Sequence, residues 1–370
     1  MIPFNQPKYF GKISSIKKLS RFSSKGLYTK KCEKWLISNI KCKDAILVNS
    51  CTSALEMSAL LLDIKHNDEI IMPSFTFVST ANAFVLRGGK PVFVDIDKKT
   101  CNIDPSKIEK AITKKTKAIV VVHYAGISCE MDTIIKIAKK HKLYIIEDAA
   151  QAIMSTYKGR PLGSIGDLAT LSFHETKNIH CGEGGALLIN NTKFINRAKI
   201  IRDKGTNRDS FDQKIVKKYT WVDYGSSYGL SEINATFLHA QLSQAKKIIR
   251  KRLSLFDHYH KLLKKLEIKK LIKRPYVPNH CNLNGHIFYI IIKKNKRDSL
   301  IKFLQKKKIN AVFHYIPLHS SPFGKCYTKT KSSMKNTNFI ANNLLRLPLY
   351  FNLKLNDQIK ILREIKNFFQ

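Results

Sequence analysis

Among the 66 lysines and arginines of this chain, Lys177 has a setting unlike an ordinary surface lysine. It lies in Leu171-Ser172-Phe173-His174-Glu175-Thr176-Lys177-Asn178-Ile179-His180-Cys181-Gly182-Glu183-Gly184-Gly185, where a short apolar run delivers one amine into a polar turn. Glycines behind it let the backbone fold tightly and approach a ligand. Upstream, a second apolar run ends in Glu147-Asp148-Ala149-Ala150-Gln151. An amine that can condense with an aldehyde and a carboxylate that can hold a protonated pyridine nitrogen are the two protein groups that pyridoxal 5'-phosphate (PLP) chemistry requires. Strand alternation points Glu147 and Asp148 in different directions, so one of the two faces a ligand. The residues alone also allow blander roles, a solvated lysine and a helix-capping aspartate.

A third group belongs with these two. The turn Ser50-Cys51-Thr52-Ser53 opens a helix, and a helix start offers unpaired N–H groups and a positive dipole end to a phosphate. Hydroxyls at Thr52 and Ser53 add donors; ordinary capping is the competing role. The turn lacks the glycine-rich G-x-x-x-x-G-K pattern, so ATP chemistry is not implied. Phe75 and Phe77, in Pro73-Ser74-Phe75-Thr76-Phe77, could stack on a pyridine face or pack in the core. His314, Tyr315 and His319 form a second polar cluster that could meet a substrate or satisfy local backbone. His174 and Glu175 lack H-E-x-x-H spacing, so no metal site is expected.

Alternating strands and helices must position these groups. Apolar runs at 45–48, 70–72, 91–94, 118–122, 143–146, 168–173 and 186–189 read as strands, and 53–62, 78–87 and 131–141 read as helices. Strands that are apolar throughout, between helices, imply an α/β fold with a mostly parallel sheet covered on both faces. Ligands then collect at the carboxyl ends of strands, where Ser50, His123, Asp148 and the 172–177 turn all fall. From 231 to 266 the pattern is helical with a break, and a division near 245 separates a large domain (1–245) from a smaller α/β domain (246–370). The smaller part reads as strands at 286–292 and 311–315 with helices at 298–308 and 356–369, and the polar stretch 327–338 reads as a mobile surface loop.

Bulk properties narrow the classes. A chain of 370 residues with 44% hydrophobic residues can bury sizeable cores. No apolar run has the length of about 20 residues that a spanning helix needs, and the N-terminus has no signal-like stretch, so a cytoplasmic enzyme without membrane insertion is the expectation. Eight cysteines occur without C-x-x-C spacing, which gives no support to a zinc ribbon or a disulfide framework. The net charge of +39 raises nucleic-acid binding as another class. The basic residues are spread over the whole chain instead of forming one patch, so a solvated basic surface is preferred and no nucleic-acid partner is expected.

Several segments together resemble the DegT/StrS family of PLP-dependent sugar-nucleotide aminotransferases. They are Met1-Ile2-Pro3-Phe4-Asn5, the 68–88 stretch around Met72-Pro73-Ser74-Phe75-Thr76-Phe77, Val122-His123-Tyr124-Ala125-Gly126, Glu147-Asp148-Ala149-Ala150-Gln151, Ser172 to Asn178, Lys204-Gly205-Thr206-Asn207-Arg208 and Val312-Phe313-His314-Tyr315-Ile316-Pro317-Leu318-His319. The resemblance implies fold type I, the aspartate-aminotransferase architecture, and a homodimer. It implies that Lys177 holds PLP covalently and later moves a proton, that Asp148 pairs with the pyridine nitrogen and that Gln151 reaches the phenolic oxygen. It places Phe77 at the stacking position and Cys51, Thr52 and Ser172 at the phosphate. The 204–208 and 312–319 segments resemble a subgroup that transfers the amino group of L-glutamate to C4 of a dTDP-linked 4-keto-6-deoxyhexose. Relatives that dehydrate the sugar carry histidine in place of the lysine. Ser227-Tyr228-Gly229-Leu230-Ser231 stands where many members have Asn-Tyr-Arg-Met-Ser, so Ser227 is the candidate replacement for a cross-subunit phosphate contact.

Overall fold

The computed structural model describes residues 1–11, 22–292 and 296–370. An eight-stranded sheet dominates it, in the order Asp44–Val48, Gly185–Ile189, Leu168–Ser172, Tyr144–Asp148, Thr116–Val122, Glu69–Pro73, Lys90–Val94 and Lys329–Thr330. Only Gly185–Ile189 runs against its neighbours; the other contacts in the sheet are parallel.

Both faces of the sheet are buried, which explains the unbroken apolar runs. Alternate residues of each strand feed two cores. Leu47, Ile71, Val121, Ile145 and Leu171 join Leu36, Ile108 and Ile134 on one face. Ile46, Met72, Val120, Ile146 and Leu187 join Leu55, Ala81 and Phe84 on the other. Each fully buried Leu, Ile or Val side chain contributes roughly 1.5–3 kcal/mol. The helix Met131–His141 shows how local sequence sets a crossover. Met131, Ile134, Ile137 and Ala138 are its buried stripe, Asp132 lies in its first turn and Lys139, Lys140 and His141 in its last. Lys142 ends it in the left-handed region at φ 54°.

A four-stranded antiparallel sheet, ordered Ile272–Lys273, Phe288–Ile292, Leu344–Leu347, Val312–Phe313, forms a second core with Leu255, Tyr259, Leu300 and Ile361. Helices Glu232–Ser243, Ala245–Leu262 and Lys264–Ile268 lead into it, with the expected break at Gln244. No helix among the described residues is long and apolar enough to cross a membrane.

Three local expectations change. The stretch expected as a loop at 327–338 contains the edge strand Lys329–Thr330 and the start of helix Lys335–Asn343. Polar contacts order it: Asp95 Oδ1 accepts from the Thr337 N–H and hydroxyl, each at 2.8 Å, and Lys329 Nζ donates to Glu69 at 2.8 Å. The strand read at 311–315 is only Val312–Phe313. Leu344–Leu347, an inner strand of the small sheet, was not foreseen, because Pro348 follows a four-residue run too short to stand out.

Candidate active site

The carboxyl ends of three strands bring the candidate groups together. Ser50 follows Asp44–Val48, Asp148 ends Tyr144–Asp148 and Ser172 ends Leu168–Ser172. They border a cavity of about 470 Å³ whose lining includes Cys51, Thr52, Phe77, Gln151, Lys177, His314 and Tyr315.

At one end, Ser50 caps helix Cys51–Leu61; its side chain accepts the Ser53 N–H at 3.0 Å. Thr52 Oγ1 lies 2.8 Å from Ser79 Oγ, which also lines the cavity. Glycine is required opposite this turn. A Cβ added to Gly185 would meet Ser50 C at 2.4 Å and Cys51 N at 2.5 Å. The neighbouring strand thus abuts the turn directly. Burial pushes the Cys51 thiol up to about 12, so it is a neutral wall and not a thiolate. The result is a dipole end with hydroxyls and no nearby carboxylate on the turn itself, suited to an anion.

Asp148 lies deeper and is only 5% exposed. Its Oδ2 accepts the Thr80 hydroxyl at 2.6 Å and its Oδ1 the Ala150 N–H at 3.2 Å. Among the described residues it has no basic side chain within ion-pair distance. Glu147 points away, as alternation requires. It accepts from Gly163, Ile165 and Gly166 N–H groups at 2.7–2.9 Å and pairs with His123 Nε2 at 2.9 Å. Burial raises its pKa, and the His123 contact with those N–H groups outweighs burial and holds it below the usual carboxylate value. His123 is therefore a buried support and not part of the cavity wall.

Lys177 follows Ser172 through the turn, which is held by its N–H donating to the His174 carbonyl at 2.9 Å. Burial lowers its amine pKa; the Asp148 carboxylate opposes this, and the Arg346 charge adds to it. A lowered pKa raises the fraction of neutral, nucleophilic amine. Gln151 is fixed at both ends: Oε1 accepts the Ala125 N–H at 2.7 Å, and Nε2 donates to the Tyr315 hydroxyl at 2.9 Å. The second hydrogen on Nε2 remains for a ligand oxygen. Phe77 is 59% exposed, which separates it from Phe75, a core residue at 1%. His319 is the outlier among the candidates. It lies outside the cavity lining, its Nδ1 2.8 Å from Ser74 Oγ. Ser227 is exposed and absent from the lining of its own chain's cavity.

Among the lining residues that order along the chain did not single out are Thr80, Phe4 and Arg346. Thr80 holds Asp148, Phe4 comes from the chain start, and Arg346 comes from the unforeseen strand Leu344–Leu347. A lone arginine in Leu344-Leu345-Arg346-Leu347-Pro348 was the only available hint.

The cavity fits PLP on its own chemistry. Asp148 is an enclosed carboxylate lacking a cation, which a protonated pyridine nitrogen supplies. Lys177 is an amine lacking a carboxylate partner among the described residues, and the Ser50–Ser53 turn suits a phosphate. No group of three or more metal-ligating side chains occurs among the described residues.

Comparison with known proteins agrees with this geometry. Residues 7–366 match the family model described as DegT/DnrJ/EryC1/StrS aminotransferase family. The chain is 37% identical to the uncharacterized protein MJ1066 of Methanocaldococcus jannaschii over 350 residues, 92% of this chain and 90% of that protein. It is 32% identical to the spore coat polysaccharide biosynthesis protein SpsC of Bacillus subtilis over 358 residues, 94% and 91% of the two chains. The PLP form of the putative sugar aminotransferase Spr1654 from Streptococcus pneumoniae superposes with a TM-score of 0.89 at 25% identity, covering 99% of this chain and 98% of that one. The chain belongs to the DegT/DnrJ/EryC1/StrS aminotransferase family and is a PLP-dependent sugar aminotransferase of fold type I.

Proposed function

We propose that this enzyme moves the amino group of L-glutamate to C4 of dTDP-4-dehydro-6-deoxy-D-glucose, giving dTDP-4-amino-4,6-dideoxy-D-galactose. The carrying observation is one cavity that holds the Lys177 amine, the cation-free carboxylate of Asp148 and the Cys51 helix start. The nucleotide, the position aminated and the donor rest on the subgroup resemblance of the 204–208 and 312–319 segments. This makes the protein a dTDP-4-amino-4,6-dideoxygalactose transaminase, serving enterobacterial common antigen or a related surface polysaccharide in the cytoplasm. The SpsC relative, named for polysaccharide synthesis, supports that direction.

When bound, PLP supplies an electron-withdrawing ring. Asp148 keeps its nitrogen protonated, and Thr80 fixes the carboxylate oxygen. Cys51, Thr52 and Ser172 receive the phosphate. Gln151 reaches the phenolic oxygen, and Phe77 stacks on the ring. Lys177 first holds the cofactor and then, freed, carries a proton to or from the reacting carbon. His314 and Tyr315 border the space left for the sugar. We keep the division at 245, with the cofactor groups in 1–245 and His314 and Tyr315 in 246–370. The homodimer rests on the family resemblance, and exposed apolar side chains such as Trp221, Val222 and Tyr224 are surface that a second copy would cover.

The test is incubation with L-glutamate and the keto sugar. One 2-oxoglutarate per amino sugar, with an axial C4 amine by NMR, is the expected outcome. A dehydrated sugar, or product without 2-oxoglutarate, would end this reading.

A further inference from the structure

His286 precedes the strand Phe288–Ile292 of the small sheet and is only 5% exposed. It lines the same cavity as Lys177. Its backbone is clamped: the His286 N–H donates to Asn284 Oδ1 at 3.0 Å, and Arg252 Nη2 donates to its carbonyl at 2.6 Å. Asn284 Nδ2 in turn donates to the Gln151 and Ile153 carbonyls, each at 2.9 Å. The segment is thus tied to Gln151, on the cavity wall.

The protonation of the ring follows from its partners. Asn178, the residue after Lys177, donates from Nδ2 to the Asn284 carbonyl at 3.0 Å. A carbonyl only accepts, so the Asn178 amide turns its Oδ1 towards His286 Nδ1, 3.0 Å away. Oδ1 also only accepts, so Nδ1 carries the ring proton. A second proton on Nε2 is disfavoured. Burial first, then the charges of Lys177, Arg252 and Arg346, holds His286 well below the usual histidine pKa. His314 faces it too and is itself kept neutral, chiefly by burial. Nε2 is therefore a lone pair, without a partner among the described residues. One nitrogen is spent on the protein, and the other is left to the cavity.

We propose that His286 is a positioning residue for Lys177, its Nε2 accepting a hydrogen bond from the freed amine and steadying it while it carries a proton. This deepens the reading of Lys177 as the amine that holds the cofactor, and rests on it. The two residues are near enough for the Lys177 charge to act on the ring. Whenever the freed amine holds a proton it is an ammonium in an enclosed cavity, without a carboxylate partner among the described residues. Asp148 is committed to the pyridine nitrogen, and the Arg346 charge disfavours the ammonium. An enclosed charge needs a hydrogen-bond partner. A carboxylate there would hold the proton too firmly to release it. A neutral imidazole of suppressed basicity accepts the hydrogen bond and leaves the proton on the lysine. Asn178 joins the two, being bonded to the ring and next to Lys177 in the chain, so the acceptor is set relative to the backbone of the amine it serves.

Competitive acetylation of the apoenzyme across pH, read by mass spectrometry of the peptide containing residue 177, follows the amine directly. His286→Asn keeps a donor for Asn178 and lacks Nε2. The acetylation midpoint of its Lys177 should fall by about one pH unit, the worth of a hydrogen bond to a charged group. The pH profile of the keto-sugar half-reaction, started from pyridoxamine-loaded enzyme, should move the same way. His286→Gln carries an amide oxygen to the Nε2 position and should return both towards wild type, although it gives up the Asn178 bond. His286→Leu serves if the Asn variant does not fold, and its midpoint should fall equally. An unchanged midpoint in a folded Asn or Leu variant would overturn the proposal. So would an equal fall in the Asn and Gln variants, which would trace the effect to the packing of the ring. Failure of borohydride to label the 177 peptide in PLP-loaded wild type would instead sink the reading of Lys177, whatever the acetylation result.

Discussion

The hydroxyl of Thr80 donates to Asp148 Oδ2 at 2.6 Å, and Thr76 Oγ1 lies 2.8 Å from Thr80 Oγ1. Because Thr80 spends its only proton on the carboxylate, it must accept from Thr76. A short relay of hydroxyls therefore sets the orientation of the carboxylate that a pyridinium would meet. Thr80→Val removes the donor and strands the Thr76 hydroxyl. The affinity for PLP should fall about 10-fold, close to the usual worth of one hydrogen bond. Thr80→Ser should bind nearly as wild type. Absorbance titration of the apoenzyme measures both, and unchanged affinity in a folded Val variant would contradict the relay.

Gly185 lets its strand touch the Ser50–Cys51 turn. Gly185→Ala puts a Cβ within 2.4–2.5 Å of backbone that cannot swing aside as a side chain would. Overpacking of this kind costs about 1–3 kcal/mol. Thermal unfolding should show the loss, and the displaced turn should weaken PLP retention in dialysis more than Thr80→Val does.

Lys177 makes the apoenzyme's stability depend on alkaline pH. Its amine pKa is lowered in the folded protein, chiefly by burial, from an ordinary 10.5. Between the lowered value and 10.5 the unfolded chain binds more protons than the folded one. Stability therefore climbs with pH through that window, and the penalty is full below it. Lys177→Met removes the penalty. The Met apoprotein should be the more stable at neutral pH, with its advantage vanishing as pH approaches 10.5 in denaturant titrations. The same substitution should abolish borohydride labelling of the 177 peptide and reduce transamination by several orders of magnitude. An equal advantage at every pH would refute the linkage.

Glu147 should set part of the acid limit. Burial opposes its charge, and the His123 contact and the backbone N–H groups of Gly163 and Gly166 override it, so its pKa is lowered from 4.5. Its contribution is complete above about pH 4.5 and is lost as pH falls through the lowered value. Glu147→Ala leaves His123 and three backbone N–H groups without an acceptor. Leaving a buried donor unsatisfied costs about 1–3 kcal/mol. Urea unfolding at neutral pH should register that loss, and at low pH the two proteins should converge.

Order along the chain was sufficient for the strand–helix alternation and for placing Lys177, Asp148 and Ser50 at strand ends. Strands buried on both faces leave unbroken apolar runs, and the groups that follow them must emerge at one edge of a parallel sheet. That legibility is local, because periodicity reports what a few neighbouring residues do. The polar stretch 327–338 defeated it, since Asp95 and Glu69, which order that stretch, lie far away in sequence.

Strand alternation required that only one of Glu147 and Asp148 face the cavity, and the family resemblance chose Asp148. What faces it needed tertiary structure: Thr80 is 68 residues away, and the Arg346–His314 pair spans 32 residues, from the strand Leu344–Leu347 to the residue just after Val312–Phe313. Sequence by itself thus determined the strand–helix alternation and the sheet edge where these groups emerge, and the family resemblance named the amine–carboxylate pair. Only the folded chain decided which charges are neutralised by the protein and which stay open to a ligand, because that depends on contacts between residues that no local pattern links.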